Sequence, residues 1–304
     1  MKIHEHTFVL LRFMTVGICI FILGYMTVSI RQRLSSSFLQ MSIQGKGKTI
    51  HAIAMHVSPH IAYRVLLAHI DSRDFGTMHD LIPVVGDSAF KRYGSGAYKF
   101  CDTTIDPLSC YYGVMLGAVQ KFGYRVDIMN KIASECVSNS SANAQDRCFR
   151  GVGYTILFLN KFWYIESLQF CDGIFASTNQ RNLCWVGVTH ENVNRVGDIL
   201  HGLFDAPWTI DNIYYPCDSI PLSYQSACVQ EQMLAVRKKI FAGDTKKSIA
   251  YCDHFSQTLT QQICVNALIH TIAQEGNRNG NGMHEVCQAL SSRNIEQCST
   301  YVGD

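Results

Sequence analysis

YCDHFSQTLTQQICVN, Tyr251 to Asn266, holds two cysteines twelve positions apart, Cys252 and Cys264. Apolar residues precede the first at helical spacing, Ile249 and Tyr251. The second opens another apolar-periodic run, CVNALIHTIAQ. A polar connection lies between them. The stretch therefore reads as helix, cysteine, turn, cysteine, helix.

The same unit recurs along the chain. Setting aside Cys19, the twelve remaining cysteines form six consecutive couples: Cys101/Cys110, Cys136/Cys148, Cys171/Cys184, Cys217/Cys228, Cys252/Cys264 and Cys287/Cys298. First members are separated by steps of 35, 35, 46, 35 and 35 residues. A constant period of this length is that of a helical hairpin repeat. Aspartate follows the first cysteine at Asp102, Asp172, Asp218 and Asp253. Glycine stands three positions after the second at Gly113, Gly151 and Gly187, where a missing side chain lets two helices approach closely. The expected fold is all-α: a solenoid of about six disulfide-stapled helical hairpins, tetratricopeptide-like in shape. SPHIAYRVLLAHIDS and FGTMHDLIPVVGDSAFKRYG form a leading hairpin without cysteines. Ser58 is its N-cap and Pro59 its first helical position.

Two helices running antiparallel would meet near the connection, where the β-carbons can approach the ~3.8 Å a disulfide needs. Closing a loop of about a dozen residues stabilises by roughly 3 kcal/mol in the chain-entropy model. Structural zinc sites favour C-x₂₋₄-C pairs, and the chain has none. The couples therefore predict disulfides, and with them an oxidising space. No metal site and no cofactor are expected.

Residues 13–30, FMTVGICIFILGYMTVSI, carry no charge and nearly suffice to span a ~30 Å hydrocarbon core. They predict an uncleaved transmembrane signal anchor. The organisation expected is a flank over 1–12, the anchor over 13–30, a tether over 31–48 and a helical repeat domain over 49–304. Lys2 and Arg12 precede the anchor, whereas Arg31, Arg33, Lys46 and Lys48 follow it. The positive-inside rule would thus place the repeats in the cytoplasm, while the cysteines place them outside. The charge bias is small, so the cysteines decide: periplasm, cell surface or lumen, or the mitochondrial intermembrane space. A net charge of +2 and scattered basic residues leave no footprint for nucleic acid.

MHDLIPVVGDSAFKRYG, CYYGVMLG, CFRGVGYT, CWVGVTHEN and YPCDSIPLSYQSACVQEQ resemble a group of bacterial and archaeal extracytoplasmic proteins. That group is cysteine-rich and helical, with motifs of the type HDxxHxxG, CxHGxGH and YQSAC. The resemblance covers roughly residues 65–275 and implies architecture and compartment, not a reaction. Several motif histidines are replaced here. Pro83 takes the second position of HDxxH, Arg150 and Tyr154 stand in CxHGxGH, and Tyr112 precedes Gly113.

Candidate chemistry centres on His79, His190, Glu191 and His270. Tyr154, His190 and His270 share one offset from their cysteines, and equal offsets stack on one face of an array. Glu191 is a general base or ligand beside His190. The 46-residue step implies an insertion around 201–213, where Phe204 and Trp208 are possible anchors for a partner. There is no GxSxG, P-loop, HExxH or GxGxxG. The leading expectation is a membrane-anchored module binding a protein or peptide. The alternatives are an enzyme or metal-binding protein with a His/Glu site, and an accessory subunit of a membrane complex.

Overall fold

A computed structural model describes residues 38–71, 74–141, 144–194, 212–276 and 287. Their regular structure is helical, with no strand among them. The long helices are α1 (Ile43–His56), α2 (Pro59–His69), α3 (Phe75–Tyr93), α5 (Pro107–Phe122), α6 (Val126–Asn139), α7 (Gln145–Leu159), α8 (Tyr164–Ile174), α9 (Thr178–Asn194), α10 (Leu222–Lys239) and α12 (Thr258–Gly276). Two shorter ones are α4 (Ala97–Cys101) and α11 (Thr245–Asp253), and a single 3-10 turn, Gly94–Gly96, precedes α4.

Their ends follow side-chain chemistry. Ser58 Oγ accepts from the His60 amide ahead of Pro59, as expected from the sequence. Asp106 and Asp244 cap α5 and α11 in the same way. One expectation needs correction. The tether over 31–48 is helical from Ile43 onward, because Ser42 caps α1 and Gly47, Ile50 and Ala54 are buried. The glycines and lysines of QGKGK suggest coil, yet Gly47 is buried and faces the Leu81 side chain of α3.

Five couples are bonded as the spacing predicts: Cys101–Cys110, Cys136–Cys148, Cys171–Cys184, Cys217–Cys228 and Cys252–Cys264. Their Cα–Cα distances run from 5.3 to 6.0 Å. Cys287 is disulfide-bonded too; Cys298 lies outside the described residues. The fourth unit departs from the pattern. Cys217 lies in a run of turns over 213–219 rather than in a helix, since Pro216 and Pro221 withhold amide hydrogens from any helix there. The aspartates after the first cysteines act as ties. Asp102 accepts from Tyr111 Oη and the Ser141 amide, and Asp172 accepts from Tyr224 Oη.

The helices pack as two rows. α1, α3, α5, α7, α9, α10 and α12 each lie against the next, while α4, α6 and α8 contact one another alongside. The closest crossings are α3 with α5 and α7 with α9, and glycine makes both possible. A Cβ on Gly113 would overlap the Pro83 carbonyl, and one on Gly187 the Arg150 carbonyl. In a straight row, three helix steps would hold α3 and α9 roughly 25–30 Å apart. Instead His79 of α3 and His190 of α9 have ring centroids 6.4 Å apart. The row bends until α3, α5, α7 and α9 surround a common interior. Among the described residues no helix is long and apolar enough to cross a membrane. The expected anchor over 13–30 lies outside them.

Candidate functional site

The interior between these helices is polar where the apolar pattern of the chain would suggest core. Asp106 stands at its entrance and has two tasks. Its Oδ1 accepts from the Ser109 amide and caps α5, and its Oδ2 lies 3.0 Å from His79 Nδ1. Ser109 Oγ donates to the same Oδ2 and lies 2.5 Å from the same Nδ1. Serine, histidine and aspartate are thus together, but at one imidazole nitrogen. A hydrolytic relay needs acid and nucleophile on opposite nitrogens, so this set orients the ring and does not activate Ser109. With the hydrogen on Nδ1, the neutral ring presents a lone pair at Nε2. Burial by itself pushes the His79 imidazole down. The hydrogen bond and charge of Asp106, with the charges of Glu191 and Asp80, outweigh it and leave its pKa above the usual 6.5. Burial pushes the Asp106 carboxyl up, and the bonds from His79 and Ser109 pull it below the ordinary 3.8.

A second imidazole is held in parallel fashion. His190 Nδ1 lies 2.8 Å from Glu231 Oε2, and the other Glu231 oxygen lies 3.9 Å from Arg150 Nη1. Glu231 is 4% exposed, so one buried carboxylate bridges a guanidinium and an imidazole. His190 stacks on Tyr154, with centroids 4.9 Å apart and planes 16° from parallel. Tyr154 is 1% exposed, and its hydroxyl has no hydrogen-bond partner. Burial, then the charges of Glu231, Glu191 and Asp106, raise its pKa well above 10.0, so it stays a neutral phenol. Glu191 is buried and acts on His79 and Tyr154 through its charge. Asp80, one position from His79, is pushed up to about 6 by burial.

The structure thus brings His79, Tyr154, His190 and Glu191 into one network. His270 is exposed on α12. Phe204 and Trp208 lie outside the described residues. Tyr154, expected as a surface contact, is a buried wall instead. Asp106, Ser109 and Glu231 were not singled out from the sequence. Glu231 carried a legible signal: it holds the position three after Cys228, which is glycine after Cys110, Cys148 and Cys184. Asp106-Pro107 reads as an N-cap, and only the fold shows its second role.

The network opens to solvent through a pocket of about 470 Å³ between the starts of α5 and α7. Ile105, Asp106, Leu108, Asp146, Arg147 and Arg150 line it. Its mouth carries two carboxylates, two guanidiniums and an apolar wall. Among the described residues no group of three or more His, Cys, Asp or Glu is placed to hold a metal ion. Comparison with protein-family models, curated proteins and solved structures gives no match to this chain.

Proposed function

We propose that the chain is an extracytoplasmic binding module, a bent solenoid of stapled helical hairpins tethered to a membrane through residues 13–30, that takes the end of a peptide or protein segment. The observation carrying this reading is the mouth of the α5–α7 pocket, where Arg147 and Arg150 face one opening with Asp106 and Asp146. A peptide end supplies both complements, a carboxylate for a guanidinium and an ammonium for a carboxylate. Ile105 and Leu108 supply apolar contact for a side chain. Arg150 and Asp106 are held from behind by Glu231 and by His79 with Ser109, which preorganises the inner half of the mouth.

The test is calorimetric titration of the full, oxidised chain with the tetrapeptide Ala-Leu-Leu-Ala, ends free or blocked. Blocking both ends is expected to weaken binding about tenfold or more, the worth of a charge-assisted hydrogen bond. Arg147→Gln and Asp146→Asn, both at exposed positions, should each remove part of that difference. Equal affinity for free and blocked peptides refutes the reading.

A second reading has an observation of its own: two imidazoles, each with a carboxylate on Nδ1, suit general acid–base chemistry. It predicts that a bound peptide is converted, with His79→Gln abolishing turnover while leaving affinity largely intact. Unchanged peptide recovered after long incubation removes this reading.

A further inference from the structure

A second cavity, of about 260 Å³, lies between the start of α8, the end of α9 and the turns that precede α10. Its floor is unusual. Asn192 lines the cavity and is 2% exposed, and its buried Nδ2 has no hydrogen-bond partner. A buried amide N–H without an acceptor is costly, and native structures leave few of them. The other polar side chains around it are differently placed. The Tyr164 hydroxyl is engaged with Thr189 Oγ1 at 2.8 Å, so Tyr164 offers the cavity only its ring. Ser219 Oγ donates to Asp218.

The walls are aromatic and aliphatic, with Phe162, Tyr164, Tyr215 and Ile220 among them. They are also preformed. Gln232, fully buried, donates to the carbonyls of Ile213 and Tyr215 at 2.6 and 2.8 Å and pins the turn that forms one side. Among the described residues the lining contains one carboxylate, Glu166, and no cation. That disfavours an anion and leaves a neutral acceptor as the complement to Asn192. The volume falls below the ~300–1,000 Å³ of sites for drug-sized ligands.

We propose that this cavity binds a fragment-sized neutral ligand, an aromatic or branched apolar group bearing a carbonyl, with the carbonyl oxygen accepting from Asn192 Nδ2. The site is separate from the α5–α7 pocket, and either assignment stands without the other.

The test uses the full chain and three fluorinated probes read by ¹⁹F NMR titration: 4-fluorobenzamide, 4-fluorobenzoate and 4-fluorotoluene. The benzamide is expected to bind about tenfold more tightly than the toluene, the worth of one buried hydrogen bond, and more tightly than the benzoate. Asn192→Leu keeps the shape and removes the donor. It should erase the preference for benzamide over toluene while leaving the toluene affinity within about twofold. Glu166→Gln, at an exposed position, should narrow the gap between benzoate and benzamide and covers the case in which the Asn192 variant does not fold. Equal affinities of the wild-type chain for benzamide and toluene overturn the proposal, as does an Asn192→Leu variant that retains the preference.

Discussion

Glu231→Ala removes the one carboxylate that bridges Arg150 and His190. In the folded chain it is 4% exposed, 2.8 Å from the imidazole and 3.9 Å from the guanidinium. Deleting one partner of a fully buried ion pair costs about 3–5 kcal/mol, because the other charge stays behind unpaired. Arg150 and His190 retain 31% and 26% side-chain exposure, so water recovers part of that loss. The expected destabilisation is therefore about 2–3 kcal/mol, or roughly 5–10 °C in Tm for a chain of this size. Urea unfolding with the disulfides intact measures it directly. Glu231→Gln keeps an acceptor for His190 and loses the charge facing Arg150, so about half the effect should remain. In the double variant with Arg150→Met the losses should be less than additive, because both substitutions break the same pair. A Glu231→Ala variant within about 0.5 kcal/mol of wild type, the range of an ordinary surface substitution, would refute the network as a structural keystone.

Two further outcomes follow from the same geometry. His79 has its folded pKa raised above 6.5, so its contribution is complete below pH 6.5 and is lost as pH rises through the folded value. Asp106 is depressed below 3.8, so its contribution holds above 3.8 and is lost as pH falls through the lower folded value. Urea midpoints measured against pH should decline on both sides of that window, and His79→Gln should flatten the alkaline limb; an unchanged limb contradicts the assignment. Gly113→Ala places a methyl group on the Pro83 carbonyl and should cost about 3 kcal/mol or more. Gly173→Ala, with nothing within 4 Å of the added carbon, serves as control and should be neutral or stabilising by up to about 1 kcal/mol; comparable losses at both positions argue against close packing of α3 on α5.

Legibility in the sequence followed the range of the interaction. Ser58 before Pro59, the Cys–Asp dipeptides and the glycines three residues past the second cysteines act within a turn or across one crossing, and each could be read from its neighbours. The pattern of its five counterparts predicts a helical Cys217, whereas the prolines at 216 and 221 hold it in turns. The α1 start at Ile43 has little local signal, because Gly45 and Gly47 are poor helix formers and Gly47 packs on another helix. Half of the polar network is legible as individual residues, His79, Tyr154, His190 and Glu191; the equal offset also puts Tyr154 beside His190, whereas the approach of His79 and the bridge from Glu231 have no sequence signal of that kind.

The stretch around Cys252 and Cys264 shows where the division falls. By itself the sequence determined the helical unit, its period and its staple, because helix periodicity and a twelve-residue loop closure depend on residues close in the chain. Tertiary structure decided that the row bends, that His79 meets His190, and that Glu231 bridges to Arg150. Those contacts depend on how closely α3 crosses α5 and α7 crosses α9. Each crossing is set by glycines on one helix against a backbone carbonyl of another, and no local pattern states where the accumulated bend will bring two distant side chains together.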